Sequence, residues 1–269
     1  MRPRNNAWEK NTMSESDWRS PEPYAIMQDA EAADFAWEFV RRNPDYRHDH
    51  RKLQRDGSRL GVSRTFRHRW GFLFAADPHR NFKMQTIFWS PEVLPTVLRA
   101  AAASRTTFSR PCHLDLSQLS SADIRQAYDG WHAVLRLGGV THRLWLQELP
   151  PTGAPIVLEL LLDADFGLQS YAAHRLWLAL EKAARRAPDP ALPKQRRQRF
   201  ILAMRALDGR IEGNSYRAIA ENLFGKARIP QLGWKAHDLR SRTIRLVQTG
   251  VSLMRGDYLA LLRKKRTPR

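Results

Sequence analysis

Three prolines fall within the seven residues Ala187 to Pro193, APDPALP. No helix or strand runs through such a stretch, because each proline lacks a backbone donor and its ring crowds the preceding turn. The chain must fold in separate pieces on either side, so we read a hinge and a domain boundary here. The charge changes at the same place. Of the formal net +18, residues 1–40 carry −4, 41–105 carry +9 and 106–193 carry −1, while 194–269, with 19 basic and 5 acidic residues, carry +14. So strong a local excess favours a polyanionic partner, nucleic acid first, bound through phosphate contacts that weaken as salt rises. The plainer reading is a solvated basic surface that binds nothing.

Other classes are poorly served. The one cysteine, Cys112, allows no intramolecular disulfide and no cysteine-built zinc site. Its neighbour His113 would point to the opposite face of a strand, so the two do not make a nucleophile and base. The longest apolar run, Ile156 to Leu162, has seven residues including Glu159, against the roughly 20 needed to span a bilayer. Basic residues near the N-terminus have no apolar stretch behind them, so a secretory signal is not expected. We expect a cytoplasmic, nucleoid-associated protein without a membrane partner. Phosphate-cradling glycine loops, zinc-protease helices, nucleophile elbows and nuclease carboxylate patterns are missing from the sequence, and no enzymatic activity or cofactor is expected. Asp163 and Asp165 beside Glu159 suggest a Mg²⁺ site for a nuclease or recombinase accessory protein, but more simply close a strand. His48, Asp49 and His50 lack a third ligand at a useful spacing.

Along the chain, residues to about Met13 read as a disordered extension, or a start set too early, before SESDWRSPEPY. From Asp29 to Arg42 an amphipathic helix places Phe35, Phe39 and Arg42 at helical spacing and stops at Asn43-Pro44. Trp37 on it is a core residue or a partner anchor. Arg41 and Arg42 either contact DNA or answer the helix dipole. Asp45 to Arg69 reads as loop with short helix. Arg69 to Pro78 and Met84 to Trp89 read as paired strands, and SPEVLPTVLRAAA as a helix with a serine N-cap. CHLDLS is a strand, and HAVLRL and THRLWLQEL form a hairpin with Leu144, Leu146 and possible Leu149 inward. Ile156 to Leu162 is a further strand, and a helix with Tyr171, Leu176, Leu178 and Leu180 on its stripe runs from Leu168 to Arg185.

After the hinge, Phe200, Ile201, Met204 and Leu207 mark a helix with a basic first turn, ending at Gly209. Ser215 caps YRAIAENLFG, where Ile219, Leu223 and Phe224 face inward. A longer helix follows, with Leu239, Ile244 and Val247 inward and Gly250 as its stop; a final helix packs Leu253, Met254, Leu259 and Leu262. A short helix, a glycine-bearing connection and a second helix rich in arginine is the order of a helix-turn-helix, here with a longer turn than usual. Ser215 and Arg217 would clamp phosphates, while Lys235, His237, Arg240, Ser241, Arg242 and Arg245 would meet the major groove.

NSYRAIAENLFG and WKAHDLRSRTIRLVQTGVSLMRGDYLALLR resemble the C-terminal variant helix-turn-helix domain of proteobacterial regulators of conjugative-element excision and transfer. DWRSPEPY and DFAWEFVRRNPDYR resemble the transcriptional-regulator-like domain that precedes it in the full-length activators. The resemblance implies an activator that binds promoter DNA of a mobile element, contacts RNA polymerase near its sigma factor, and is opposed by a small antiactivator built from the second domain alone.

The expected fold is α+β: a disordered extension over 1–13, a small N-terminal α/β domain over 14–105, a middle antiparallel meander with a helix over 106–190, and an all-α helix-turn-helix variant over 191–269. The leading function is a DNA-binding transcriptional regulator. The alternative is a protein-binding module, an antiactivator or co-regulator that uses the helix-turn-helix scaffold as an interface.

Overall fold

The computed structural model describes residues 17–56, 61–103, 122–137, 139–151, 154–181, 192–230 and 232–263. The expected extension over 1–13, the CHLDLS strand with Cys112, and most of the Ala187 to Pro193 hinge lie outside the described residues. No described helix is long and apolar enough to cross a membrane. The fold is mixed α+β, and the described residues divide into two compact units. One holds 17–43 with 192–258; the other holds 44–181 with 259–263. Composition had put the first and last segments of the chain in different domains, whereas the contacts group 17–43 with the basic C-terminal helices.

In the unit that begins at Pro44, α2 (Pro44–Asp56) and α3 (Arg64–Trp70) replace most of the expected loop. Pro44 stops one helix and opens the next, because a first-turn position needs no amide donor. Ser63 caps α3 by accepting the Phe66 amide at 3.3 Å. The two strands expected at 69–78 and 84–89 reduce to one bridge, Phe72 with Trp89. Side chains take the ladder's place: Tyr46 donates to the Ala76 carbonyl at 2.6 Å and accepts its amide at 3.1 Å, and Gln85 accepts the Asp77 amide at 2.9 Å.

The expected helix over Ser90 to Ala102 is also overturned. It becomes a turn followed by strand β1 (Val97–Ala102). Pro95 blocks helix propagation, and VLRAAA finds a partner strand on each side, which outweighs alanine's helical preference. With β2 (Asp123–Ala127), β3 (Gly130–Leu137), β4 (Val140–Leu146) and β5 (Ile156–Glu159) it builds a sheet in the order β2-β3-β4-β1-β5. The β3–β4 hairpin forms as expected, from Trp131 opposite Leu146 to Leu137 opposite Val140. The sheet is not a pure meander, because β1 inserts parallel to β4 and antiparallel to β5. Alternate residues Leu98 and Ala100, Ala133 and Leu135, Leu144 and Leu146 share one face, on which Ala172 and Leu176 of α4 (Phe166–Leu180) pack. Leu149 is exposed. The suspected carboxylate site closes a strand and a turn: Glu159 pairs with Arg99 at 3.0 Å, and Asp163 accepts the Asp165 amide at 2.8 Å. Asp49, between the two histidines considered for a metal, accepts from Arg69 and the Trp70 indole, both at 2.9 Å.

The other unit is helical: α1 (Ala32–Val40), α5 (Lys194–Ile211), α6 (Tyr216–Phe224) and α7 (Asp238–Ser252), the last running through a π turn (Leu253–Asp257) toward α8 (Tyr258–Leu262). Gly209 and Gly250 do not end helices. A Cβ on Gly209 would stand 3.1 Å from both Ile219 and the Trp18 ring, and one on Gly250 would stand 2.7 Å from the Ala203 carbonyl oxygen. Both permit close helix packing, while Gly225, with φ of 93°, does end α6.

His142 on β4 is buried, and its Nε2 has no hydrogen-bond partner among the described residues. Burial, then the Arg175 cation, push its imidazole down to about 4 from the ordinary 6.5. The unfolded chain therefore takes up this proton first. The stabilisation is complete above pH 6.5 and is lost as pH falls toward 4, by up to about 3 kcal/mol. Urea unfolding is expected to show stability falling between pH 7 and 4.5, with His142→Gln removing a large part of that slope; an unchanged slope in the variant would contradict this.

Candidate nucleic-acid interface

The helical unit is fastened by a buried ionic network. Arg42, in the turn two residues past the end of α1, donates from Nε to Asp208 Oδ1 at 2.7 Å and from Nη2 to Oδ2 at 2.9 Å. Its Nη1 donates to Glu38 at 3.0 Å, Arg41 Nε donates to the same carboxylate at 2.6 Å, and the Tyr24 hydroxyl donates to Asp208 at 2.6 Å. Burial alone would lower the Arg42 pKa; the Asp208 and Glu38 charges outweigh it and raise it further. Arg42 is 2% exposed at its side chain, so it is a structural cation and not a DNA contact. Trp37 is fully buried and belongs to the core.

Around this network, Phe35 and Phe39 lie 5.5 and 6.3 Å from the Phe200 ring. Trp18 donates to Glu212 at 2.6 Å, and Arg205 donates to the Trp18 and Arg19 carbonyls at 2.9 and 2.6 Å. Asn43 donates to the Met254 carbonyl at 2.9 Å. Asp208 is thereby buried, and Glu212, though exposed, is paired with the N-terminal segment.

The cations left outside are differently placed. A groove of about 740 Å³ runs between the first half of α5 and α7, floored by Leu202 and Leu246 and walled by Lys194, Arg199, Arg242 and Arg245, with Gln195, Gln198 and Thr249 between them. All four cations are exposed, and none has a carboxylate partner among the described residues. Arg242 lies over the Phe224 ring, 4.8 Å from its centre, which fixes its direction. Among the described residues no carboxylate lines the groove.

The eight residues expected to meet DNA divide by role. Arg242 and Arg245 come together in the groove, with Ser241 exposed beside them on α7. Arg240 projects from the other flank, about 160° around the helix from Arg242 at 100° per residue. Lys235 is exposed on the 3-10 turn Trp234–Ala236. His237 caps α7, accepting the Leu239 amide at 3.2 Å, with its ring stacked on Trp234. Ser215 caps α6 by accepting the Ala218 amide at 3.2 Å, which leaves its hydroxyl proton able to donate. Arg217 is spent inside the unit, donating to Glu221 at 3.0 Å and to the Pro230 carbonyl at 3.2 Å. It braces the long connection between α6 and α7, whose Ile229 packs with Ala220 and Leu239.

The sequence reading missed Lys194 and Arg199 as partners of α7. Their signal was the basic first turn KQRRQR, where Gln195, Arg199 and Leu202, three to four apart, fall on one flank with Lys194 beside them. It also missed Thr243, fully buried with its hydroxyl donating to the Leu239 carbonyl at 2.7 Å.

The Arg42–Asp208 pair gives a stability test. Asp208→Leu leaves two donors of a buried guanidinium without their acceptors and is expected to cost about 3–5 kcal/mol in chemical unfolding, with Arg42→Met in the same chain recovering most of it. Additive losses in the double variant would contradict the pairing.

Comparison with known families divides the chain along different lines from the two compact units. Residues 17–75 match the proteobacterial transcriptional regulator-like domain. Residues 160–263 match the family described as T6SS, transcription factor, DNA binding domain. No curated protein matches the chain. Both matched segments contribute to both compact units, and the helical unit is built from the first part of one and most of the other. The chain thus carries a transcriptional regulator-like domain and a DNA-binding domain, the make-up of a DNA-binding transcriptional regulator.

Proposed function

We propose that the chain binds duplex promoter DNA through the face formed by α5 and α7 and acts there as an activator. The observation that carries this reading is the groove between the two helices, in which Lys194, Arg199, Arg242 and Arg245 converge without an opposing carboxylate. Cations so placed neutralise phosphates and release their counterions, which supplies affinity without sequence information. Arg240, Ser241, Lys235 and the Ser215 hydroxyl extend the contact beyond the groove. The resemblance of both ends of the chain to regulators of conjugative-element excision and transfer supports target genes of that class. It also supports contact with RNA polymerase near its sigma factor and opposition by a small antiactivator. Such a protein works in the cytoplasm at the nucleoid.

The test is equilibrium binding of the full chain to labelled duplex DNA across a salt series. Each phosphate contact contributes a slope of about −0.9 in log affinity against log salt, so Arg199→Ala with Arg242→Ala is expected to flatten the slope by about 1.8 and weaken binding throughout. In cells the same variant is expected to lose promoter occupancy and the transcripts of the adjoining genes together. An unchanged slope and affinity would overturn the DNA face; lost occupancy with unchanged or rising transcripts would overturn activation.

A further inference from the structure

We propose that Arg245 and Gln248 of α7 read neighbouring base pairs in the major groove, Arg245 a guanine and Gln248 an adenine. This rests on the DNA-binding reading above and assigns its sequence specificity.

The geometry of α7 separates two jobs. Its buried stripe is Leu239, Thr243, Leu246, Val247 and Gly250. Directly opposite, at helical spacing, stand Ser241, Arg245 and Gln248, all exposed. This ridge rises between two hollows. On one side is the cationic groove against α5; on the other is a depression of about 510 Å³ floored by Leu207, Val247 and Met254. A helix that stands proud of hollows on both flanks can enter a major groove about 12 Å wide. Lys194, Arg199 and Arg242 of the flanking groove then face the phosphates, while the ridge, Arg245 included, faces the base edges.

The chemistry of the ridge matches. Among the described residues, neither Arg245 nor Gln248 has a side-chain partner within the chain. A guanidinium presents two parallel donors to guanine O6 and N7, and a carboxamide presents a donor and an acceptor to adenine N7 and N6. Three residues of helix advance about 4.5 Å, against about 3.4 Å per base pair, so the two side chains reach adjacent pairs. The ridge ends there, because the Ser252 hydroxyl donates to Asp257. Arg242 leans into the groove over Phe224 and is a phosphate contact in this arrangement.

The experiment is selection of duplexes from a pool with a randomised central stretch, using the full chain and its variants. The wild-type chain is expected to enrich a site with guanine and adenine at neighbouring positions. Gln248→Ala is expected to lose roughly 5- to 150-fold preference at the adenine alone, with the non-specific salt slope unchanged because glutamine is neutral. Gln248→Glu is expected to move that position to cytosine, whose amino group a carboxylate accepts. Arg242→Ala is expected to weaken all sequences alike. A Gln248→Ala profile identical to wild type, or a wild-type chain that binds the pool yet enriches nothing, would overturn this assignment while leaving the DNA-binding reading in place. A wild-type chain that binds no duplex would overturn both.

Discussion

Arg42 and Asp208 stand 166 positions apart in the chain and meet through two parallel hydrogen bonds in a buried site. Neither charge survives there alone, because an ion removed from water without its counter-charge costs several kcal/mol. The pair therefore fixes which surfaces come together: the apolar stripe of the first helix must lie along α5, and Tyr24, Glu38 and Arg41 complete the network around it. Trp18 against Gly209 and the bonds from Arg205 to the Trp18 and Arg19 carbonyls extend the same seam. Residues 17–43, the start of the regulator-like match, are therefore part of the body that carries the α5–α7 face.

This seam also sorts the charges. Of the acids in the basic C-terminal segment, Asp208 is buried against Arg42 and Tyr24, and Glu212 is paired at the surface with Trp18 and Arg19. Glu221 is taken up by Arg217. What remains in the groove between α5 and α7 is, among the described residues, cation without counter-ion. The field that would attract a polyanion thus arises from where the acids are buried as much as from the number of arginines, and net charge alone would not have located it.

The sequence showed the helical elements and the β3–β4 hairpin because their periodicities are long and regular. It also put Phe35, Phe39 and Arg42 on one face, but offered Arg42 only DNA or the helix dipole, because its partner Asp208 sits in another segment. The failures were local preferences overruled by tertiary pairing. VLRAAA is alanine-rich yet became a strand between β4 and β5, and the apolar segments flanking Asp77 gave their ladder to the side chains of Tyr46 and Gln85. Gly209 and Gly250 looked like helix stops but are sites of close approach, a role set by neighbours remote in sequence. At the candidate interface, Arg242 and Arg245 were legible from helical spacing, and the structure added Lys194 and Arg199 from α5. Ser215, Arg217 and His237 have local partners that composition could not reveal.

Hydrogen–deuterium exchange of the full chain with and without duplex DNA tests the central assignment most directly. The account predicts that protection gained on binding concentrates in Asp238–Ser252 and the first turns of Lys194–Ile211. Protection confined to the sheet and the helix Phe166–Leu180, with these two segments unchanged, would contradict it.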